Sequence, residues 1–437
     1  MTSLQPKVGL AVIVSPYEVG AENAEKVLKQ AAVALTSVGL RVVSAPKPIH
    51  DDDDGILAGK EFAKEELDAI CILYATYADD TFATSLLEQS TLPAIVWGTN
   101  DYDTGSIAGA QQISYILTET GRYYKLVFGN VDDKRALDEI LLTARVAAAK
   151  TRISSSRIGV VGYPHIKGQT QAAFDEIELR EKMGARIVSI GLHQLTTAMS
   201  KFPDQEIRQA WKRISEGIPA ISVNDDQIRE GVAGYLAMKQ IVQEHRLNAI
   251  AVEDWNELIG LPNLGFSLLN EEGVPAACEA DVHAALVLYL LSLLTGKPAF
   301  HGELLGILED EDALLVAHYG AGAPSLAASR DQISLEPDRA SHRGVSVVYQ
   351  VRPGPITIAS LTGRRGTYRM LIAAAETINA REVFHGGVVA NVKFEANHQD
   401  FLRKARGMSH HWIVGLGDVS RELVEFCEMT EIRSVVA

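Results

Sequence analysis

Cysteine is scarce. Cys71, Cys278 and Cys427 are the three in 437 residues, too few and too scattered for a disulfide framework or a thiolate-held zinc cluster. Basic charge is short as well: 41 Lys and Arg stand against 56 Asp and Glu, giving a formal net charge of −15 and a pI near 5.3. Such a surface repels nucleic acid and anionic membrane, so neither is an expected partner. Long apolar runs are missing. The longest, at 284–294, falls far short of the roughly 20 residues a membrane-spanning helix needs. The opening MTSLQPKVGLAVIVSP lacks the basic-then-apolar layout of a secretory signal, and the expected location is the cytoplasm. Familiar Gly-rich signatures are absent too. Gly159-Val-Val-Gly162 is not a G-x-G-x-x-G loop, and neither G-x-x-x-x-G-K-[ST] nor G-x-S-x-G occurs. Nucleotide binding and a serine-nucleophile elbow have no support.

What is present is an α/β pattern followed by a change of style. Short apolar runs at 8–14, 40–45, 67–74, 94–97 and 124–127 alternate with helical stretches, as in a parallel sheet buried on both faces. The Ser-rich segment 151–157 reads as a hinge. A second alternating series follows, with strands at 158–161, 186–190, 249–252 and 276–278 and helices at 169–183, 225–245 and 282–295. Beyond Lys297 the runs are short, close together and broken by Gly and Pro, which predicts a mostly antiparallel, barrel-like sheet closed by a helix at 420–429. The expected organisation is two doubly wound parallel-sheet α/β domains, 1–153 and 154–297, then a β-rich domain, 298–437. The four-Asp run at 51–54 reads as a solvated loop.

Chemistry-bearing residues gather late in the chain. Eight of the twelve histidines lie after residue 280. Glu279 follows the strand end at 276–278, on the rim where open α/β sheets bind ligands. Asp281 is the better N-cap for the next helix, which leaves Glu279 free. Glu303, two dozen residues on, follows the Pro298 break in a predicted turn. His318 closes an apolar run in His-Tyr-Gly-Ala-Gly, and His410 and His411 are adjacent in Ser409-His-His-Trp412. If that segment is a strand, the two rings point to opposite faces and only one can meet a given ion. Two carboxylates with imidazole suit Mn²⁺, or Mg²⁺ or Co²⁺, better than structural zinc. Arg364 and Arg365, in Thr-Gly-Arg-Arg-Gly-Thr, read as a hairpin tip that could hold an anionic group.

Through these residues the chain resembles the L-fucose isomerase and L-arabinose isomerase superfamily, particularly its shorter fucose-isomerase-like members. The likeness runs through Gly105-Ser-Ile-Ala-Gly109, Tyr123-Tyr-Lys-Leu-Val-Phe-Gly129 and Asn270-x-x-Gly273-x-x-Ala-Ala-Cys-Glu-Ala-Asp281. It continues in His318-Tyr-Gly-x-Gly-Ala-Pro324 and Gly407-Met-Ser-His-His-Trp-Ile-Val-Gly-Leu-Gly-Asp418. The sugar-contacting segment near the N-terminus of the well-known isomerases is not recognisable in Ser15-Pro-Tyr-Glu-Val-Gly20.

The resemblance implies a Mn²⁺-dependent aldose–ketose isomerase acting on a free sugar through a cis-enediol. It places metal ligation and proton transfer on Glu279 and Glu303, and ligation on His411. His318 and His410 fall to nearby support or substrate contact. It also implies a homohexamer with sites between subunits, where Trp97 is the candidate aromatic residue from a neighbour. Other expectations share the residues: an isomerase of an acidic, for example sulfonated, hexose, motivated by Arg364 and Arg365; a metal-dependent sugar aldolase; and a non-catalytic sugar-binding protein.

Overall fold

The computed structural model describes residues 4–164, 169–255, 257–379 and 386–437. Strands β1 (Lys7–Ile13), β2 (Arg41–Ser44), β3 (Ala69–Tyr74), β4 (Ala94–Gly98) and β5 (Tyr124–Phe128) form a parallel sheet in the order β2-β1-β3-β4-β5. Every residue of β3 and β4 is buried, which is why their runs are apolar without alternation. The acidic run at 51–54 is not a loop. The Asp51 side chain accepts a hydrogen bond from the Asp54 N–H and caps the helix Asp52–Phe62, whose dipole favours negative charge in the first turn.

The chain divides into two compact units, Leu4–Thr151 and Arg152–Ala437. Residues 151–154, expected within a hinge, instead finish the long helix Lys134–Ser154, where the Thr151 hydroxyl donates back to the Ala147 carbonyl.

The second unit contains two sheets. Strands β6 (Arg157–Val161), β7 (Arg186–Ile190), β9 (Ala249–Val252) and β10 (Ala276–Ala277) are parallel in the order β10-β9-β6-β7, while β8 (Ala220–Ile221) belongs to the other sheet. The helix expected over 169–183 is shorter. A 3₁₀ turn, Thr170–Ala172, precedes the helix Glu176–Met183, which starts where extended Asp175 accepts from the Ile177 and Glu178 N–H groups.

The other sheet comprises β11 (Ala299–Leu308), β12 (Ala313–His318), β13 (Ser334–Glu336), β14 (Ser346–Gln350), β15 (Gly354–Thr362), β16 (Arg369–Thr377), β17 (Val388–Phe394), β18 (His411–Leu416) and β19 (Arg433–Val436), with β8 at its edge. Six of them run β16-β15-β18-β11-β12-β17, and pairing of Ala375–Thr377 with Val392–Phe394 brings β17 back to β16 in a partial ring. Phe300, Leu371, Ala390, Phe401 and Trp412 share its apolar core. The apolar run at 284–294 lies in the helix Val282–Thr295, which packs on β9 and β10 on one side and on β11, β15 and β18 on the other. Burial all round explains a helix without a polar stripe.

Candidate active site

The loop after β10 is held from several sides. The Asn270 amide donates to the Ala276 carbonyl and its oxygen accepts from the Ala276 N–H, at 3.0 and 3.3 Å. The Ala280 N–H reaches the Val252 carbonyl on β9, and the Glu279 N–H reaches Asp254 Oδ1 at 2.7 Å. These bonds force Glu279 and Ala280 to φ 58° and 51°. Left-handed backbone at two successive non-Gly residues costs of order 1–3 kcal/mol each and persists only where surroundings impose it. The next residue, Asp281, caps the helix Val282–Thr295 through the Ala284 N–H, as expected.

The barrel supplies the facing wall. Glu303 lies inside β11 and not in a turn: it pairs with Ala317 of β12 on one edge and with His411 of β18 on the other. Gly302 made the segment look like a turn, but it answers a packing need, since a Cβ there meets Val316 at 2.6 Å and Phe300 at 2.9 Å. Directly opposed residues share a face, so Glu303 and His411 project together.

Four side chains converge. His411 Nε2 is 3.3 Å from Glu279 Oε2, while its Nδ1 donates to Asp281 Oδ2 at 2.7 Å. His410 Nε2 is 3.0 Å from Glu303 Oε1 and 3.6 Å from Glu279 Oε2. The two histidines therefore do not face opposite sides: their ring centroids are 4.0 Å apart. The alternation rule fails because His410 precedes the strand, which begins at His411. His318 sits close by, its ring 5.9 Å from His411 and 5.1 Å from His301. It ends β12 ahead of Gly320, whose φ of 72° and 2.5 Å Cβ approach to Asn263 leave no room for a side chain.

Electrostatics favours positive charge here. Burial opposes ionisation of Glu279, but His410 and His411 outweigh it and hold the carboxyl far below the usual range. Glu303 is lowered too, against burial, by His410 and the neighbouring imidazoles. Burial alone would lower His411; Asp281 and Glu279 overcome it and raise the ring to about 10. Asp254 is pushed up to about 8 by burial and by the Glu279 charge. His301 is driven well below its ordinary value by burial, then by the charge of His411 and His318.

Glu279 Oε2, His411 Nε2, His301 Nε2 and His318 Nε2 are all buried with no hydrogen-bond partner among the described residues. Ligand atoms of Glu279, Glu303, His410 and His411 lie within 4.8 Å of one another, as do those of His301, His318 and His411. Buried polar atoms are rarely left unpaired. The two groups share His411, and the one with both carboxylates, with His411 oriented from behind by Asp281, fits a divalent cation that takes the place of the His411 Nε2 proton.

Sequence reasoning missed three groups. Asp254 lies just past the strand Ala249–Val252, at a rim of the same kind as the one credited to Glu279 after 276–278. His301, whose Nδ1 accepts from the Cys278 N–H at 3.4 Å, is two residues before Glu303 and so on its face of β11, a signal visible once β11 is read as a strand. Gln171 donates to His410 Nδ1 at 3.1 Å across 239 residues of sequence, and no local pattern announces it. Trp97 is not at the surface. It is wholly buried in the first unit, and its indole N–H donates to the Gly129 carbonyl at 2.8 Å. Arg364 and Arg365 are exposed between β15 and β16, as expected of a hairpin tip.

The chain is 26% identical over 387 residues to the sulfoquinovose isomerase of Priestia aryabhattai, covering 85% of this chain and 86% of that protein. It is 24% identical to the sulfoquinovose isomerase of Clostridium sp. (strain MSTE9), over 95% and 96% of the two chains. The L-arabinose isomerase of Thermotoga petrophila is 24% identical, over 78% and 73%. Over most of its length the chain is thus similar to sugar isomerases of the L-fucose and L-arabinose isomerase-like superfamily. It is an isomerase. No family model matches it. A likeness to a solved arabinose-binding protein from Geobacillus stearothermophilus has a TM-score of 0.17 at 12% identity, over 68% of this chain and 81% of that one, too low to argue from. Among the described residues no helix is long and apolar enough to cross a membrane.

Proposed function

We propose that this isomerase interconverts an aldose and its ketose, using a divalent ion held by Glu279, Glu303 and His411, and that its substrate is a sulfonated hexose. The observation that carries the reading is the convergence of Glu279 Oε2 and His411 Nε2, buried, 3.3 Å apart and without a hydrogen bond among the described residues, beside a second and less buried carboxylate, Glu303. Mn²⁺ suits this donor set, with Mg²⁺ or Co²⁺ as alternatives. When bound, such an ion acts as a Lewis acid that lowers the cost of negative charge on adjacent sugar oxygens.

The chain's own groups supply the proton chemistry. Glu279 and Glu303 both stand as carboxylates at neutral pH, the form a general base needs. Moving a proton from C2 to C1 through an enediol needs a base at carbon and a group that manages the hydroxyl protons, and the two carboxylates divide that work. Glu303, with 28% of its side chain exposed, is the one a sugar reaches more readily. His410, more exposed than His411, holds Glu303 from the open side. Asp281 fixes the tautomer of His411 so that Nε2 faces Glu279.

The sulfonated substrate is supported by the sulfoquinovose isomerases the chain matches over most of its length. β15 pairs with β18 as far as Ala359 and Ile413, two residues from His411, and ends at Thr362 ahead of the hairpin of Arg364 and Arg365, the cations we assign to the anionic group. Homohexameric assembly is part of the same reading, and light scattering tests it. For the activity, purified protein with Mn²⁺ is incubated with sulfoquinovose, L-arabinose or L-fucose in D₂O and followed by NMR. We expect fastest ketose formation from sulfoquinovose, with deuterium entering at C1 of the ketose and, on reversal, at C2 of the aldose. No ketose from any sugar overturns the reading, and ketose formed without deuterium at C1 replaces the enediol with a hydride shift.

A further inference from the structure

The Arg152–Ala437 unit holds another cavity, of about 700 Å³, and none of Glu279, Glu303, His410 or His411 lines it. That volume lies within the range of small-molecule sites. The helices Asp204–Ser215, Asp225–His245 and Asn263–Glu271 wall one side, and residues 324–335 with β14 wall the other. Ile214, Leu268 and Val347 give it an apolar lining.

The polar groups at the cavity are unbalanced in sign. Arg213, Lys239, Arg330 and Arg352 face only two carboxylates, Glu271 and Glu272, a local excess of 4 − 2 = 2 positive charges in a chain whose total is −15. Both carboxylates are already engaged. Glu272 pairs with Lys239 at 2.7 Å, and Glu271 accepts the Ser325 N–H at 2.8 Å. The arginines have no carboxylate partner among the described residues. Arg352 donates to the Ser325 and Leu326 carbonyls, and Arg330 to the Glu216 carbonyl. A carbonyl fixes a guanidinium in place without cancelling its charge, so the remaining N–H donors are held ready for an anion.

We propose that this cavity binds a small amphipathic anion, with an apolar body against Ile214, Leu268 and Val347 and a carboxylate, sulfonate or phosphate head between Arg330 and Arg352. One helix separates it from the metal-ligand residues. Asn263–Glu271 presents Leu268 and Glu271 to the cavity. From the same helix Asn270 holds Ala276, in the strand leading to Glu279, and the Ser267 hydroxyl donates to the Gly320 carbonyl just after His318, at 2.8 Å.

The test uses the full chain and two fluorescent probes, 8-anilinonaphthalene-1-sulfonate and its neutral counterpart N-phenyl-1-naphthylamine. We expect saturable binding of the anionic probe, one per chain, and at least tenfold weaker binding of the neutral one. Arg330→Ala with Arg352→Ala should weaken the anionic probe tenfold or more. Ala328→Trp, at an exposed position on the cavity wall, should block it without disturbing the core. Glu279→Gln should leave probe binding unchanged, which separates this site from the proposed isomerase site. Equal binding of both probes, more than one probe per chain, indifference to Ala328→Trp, or loss of binding in Glu279→Gln each overturns the proposal.

Discussion

Trp97 and Asp254 occupy comparable places, near the carboxyl ends of the parallel strands β4 and β9, in surroundings of opposite kind. Trp97 sends its indole N–H to the Gly129 carbonyl, and nearby Ser106 sends its hydroxyl to the Tyr74 carbonyl. There the polar groups close on backbone. Asp254 takes the Glu279 N–H and meets a carboxylate, with imidazoles beyond it. Both sheets obey the same rule of buried parallel strands, yet among the described residues the first unit shows no cluster of His and carboxylate ligand atoms. A strand end becomes a site when a second layer, here β11 and β18, delivers ligands that face it and leaves them unsatisfied.

The sharpest way to break that contrast is to remove the proposed chemistry. Glu279→Gln and Glu303→Gln should each lower turnover by about 10²–10⁴-fold, the usual contribution of a general base, while circular dichroism and Tm remain close to wild type. EDTA should abolish wild-type activity and Mn²⁺ restore it. Full activity in Glu303→Gln removes the two-carboxylate mechanism.

A second measurement separates the adjacent histidines. His411→Ala should lose bound Mn²⁺, because Nε2 lies against Glu279 and Nδ1 is committed to Asp281. His410→Ala should keep the ion and change KM or kcat. Asp281→Asn should weaken metal binding by about 10–100-fold, as loss of a ligand's outer partner does. Metal analysis of the purified variants decides it, and a metal-free His410→Ala reverses the assignment.

How much of this was legible follows from which interactions are local. The parallel strands could be read because burial on both faces writes continuous apolar runs, and Asp281 because an N-cap is a matter of three residues. Glu279 was visible at the end of a strand. Glu303 was found by type and placed wrongly, since a strand whose Gly302 serves packing looks like a turn in one dimension. The geometry of His410 turned on where β18 begins, and boundaries are where pattern reasoning is weakest. Gln171 and Asp254 act only through tertiary contact. Trp97 was misplaced because a strand-end position alone does not say whether the side chain faces core or ligand.

A smaller perturbation tests the first unit. Trp97→Phe removes a buried hydrogen bond, leaves the Gly129 carbonyl without its donor and opens a small gap. The expected cost is about 1–3 kcal/mol, seen as a lower urea midpoint, with the ion content unchanged. Loss of bound metal in this variant would show that the first unit takes part in the site after all.

The smallest expected effect lies in the second unit but outside the cluster, at Asp312 and His398. Asp312 Oδ1 meets His398 Nδ1 at 2.5 Å and also accepts the His398 N–H at the start of the helix His398–Lys404. Those bonds, the side-chain one first, lower the Asp312 carboxyl below its ordinary value. A carboxyl that is more acidic in the folded state stabilises the protein above its unfolded value, and that contribution fades as pH falls through the folded one. Asp312 also has φ 49°, a conformation Asn tolerates as readily as Asp, so Asp312→Asn changes charge with little backbone penalty. Its Tm should sit slightly below wild type at neutral pH, and the gap should close below the carboxylate range. A gap that stays constant or widens in acid means the pair contributes through packing and not through charge, unlike the carboxylates that face His410 and His411.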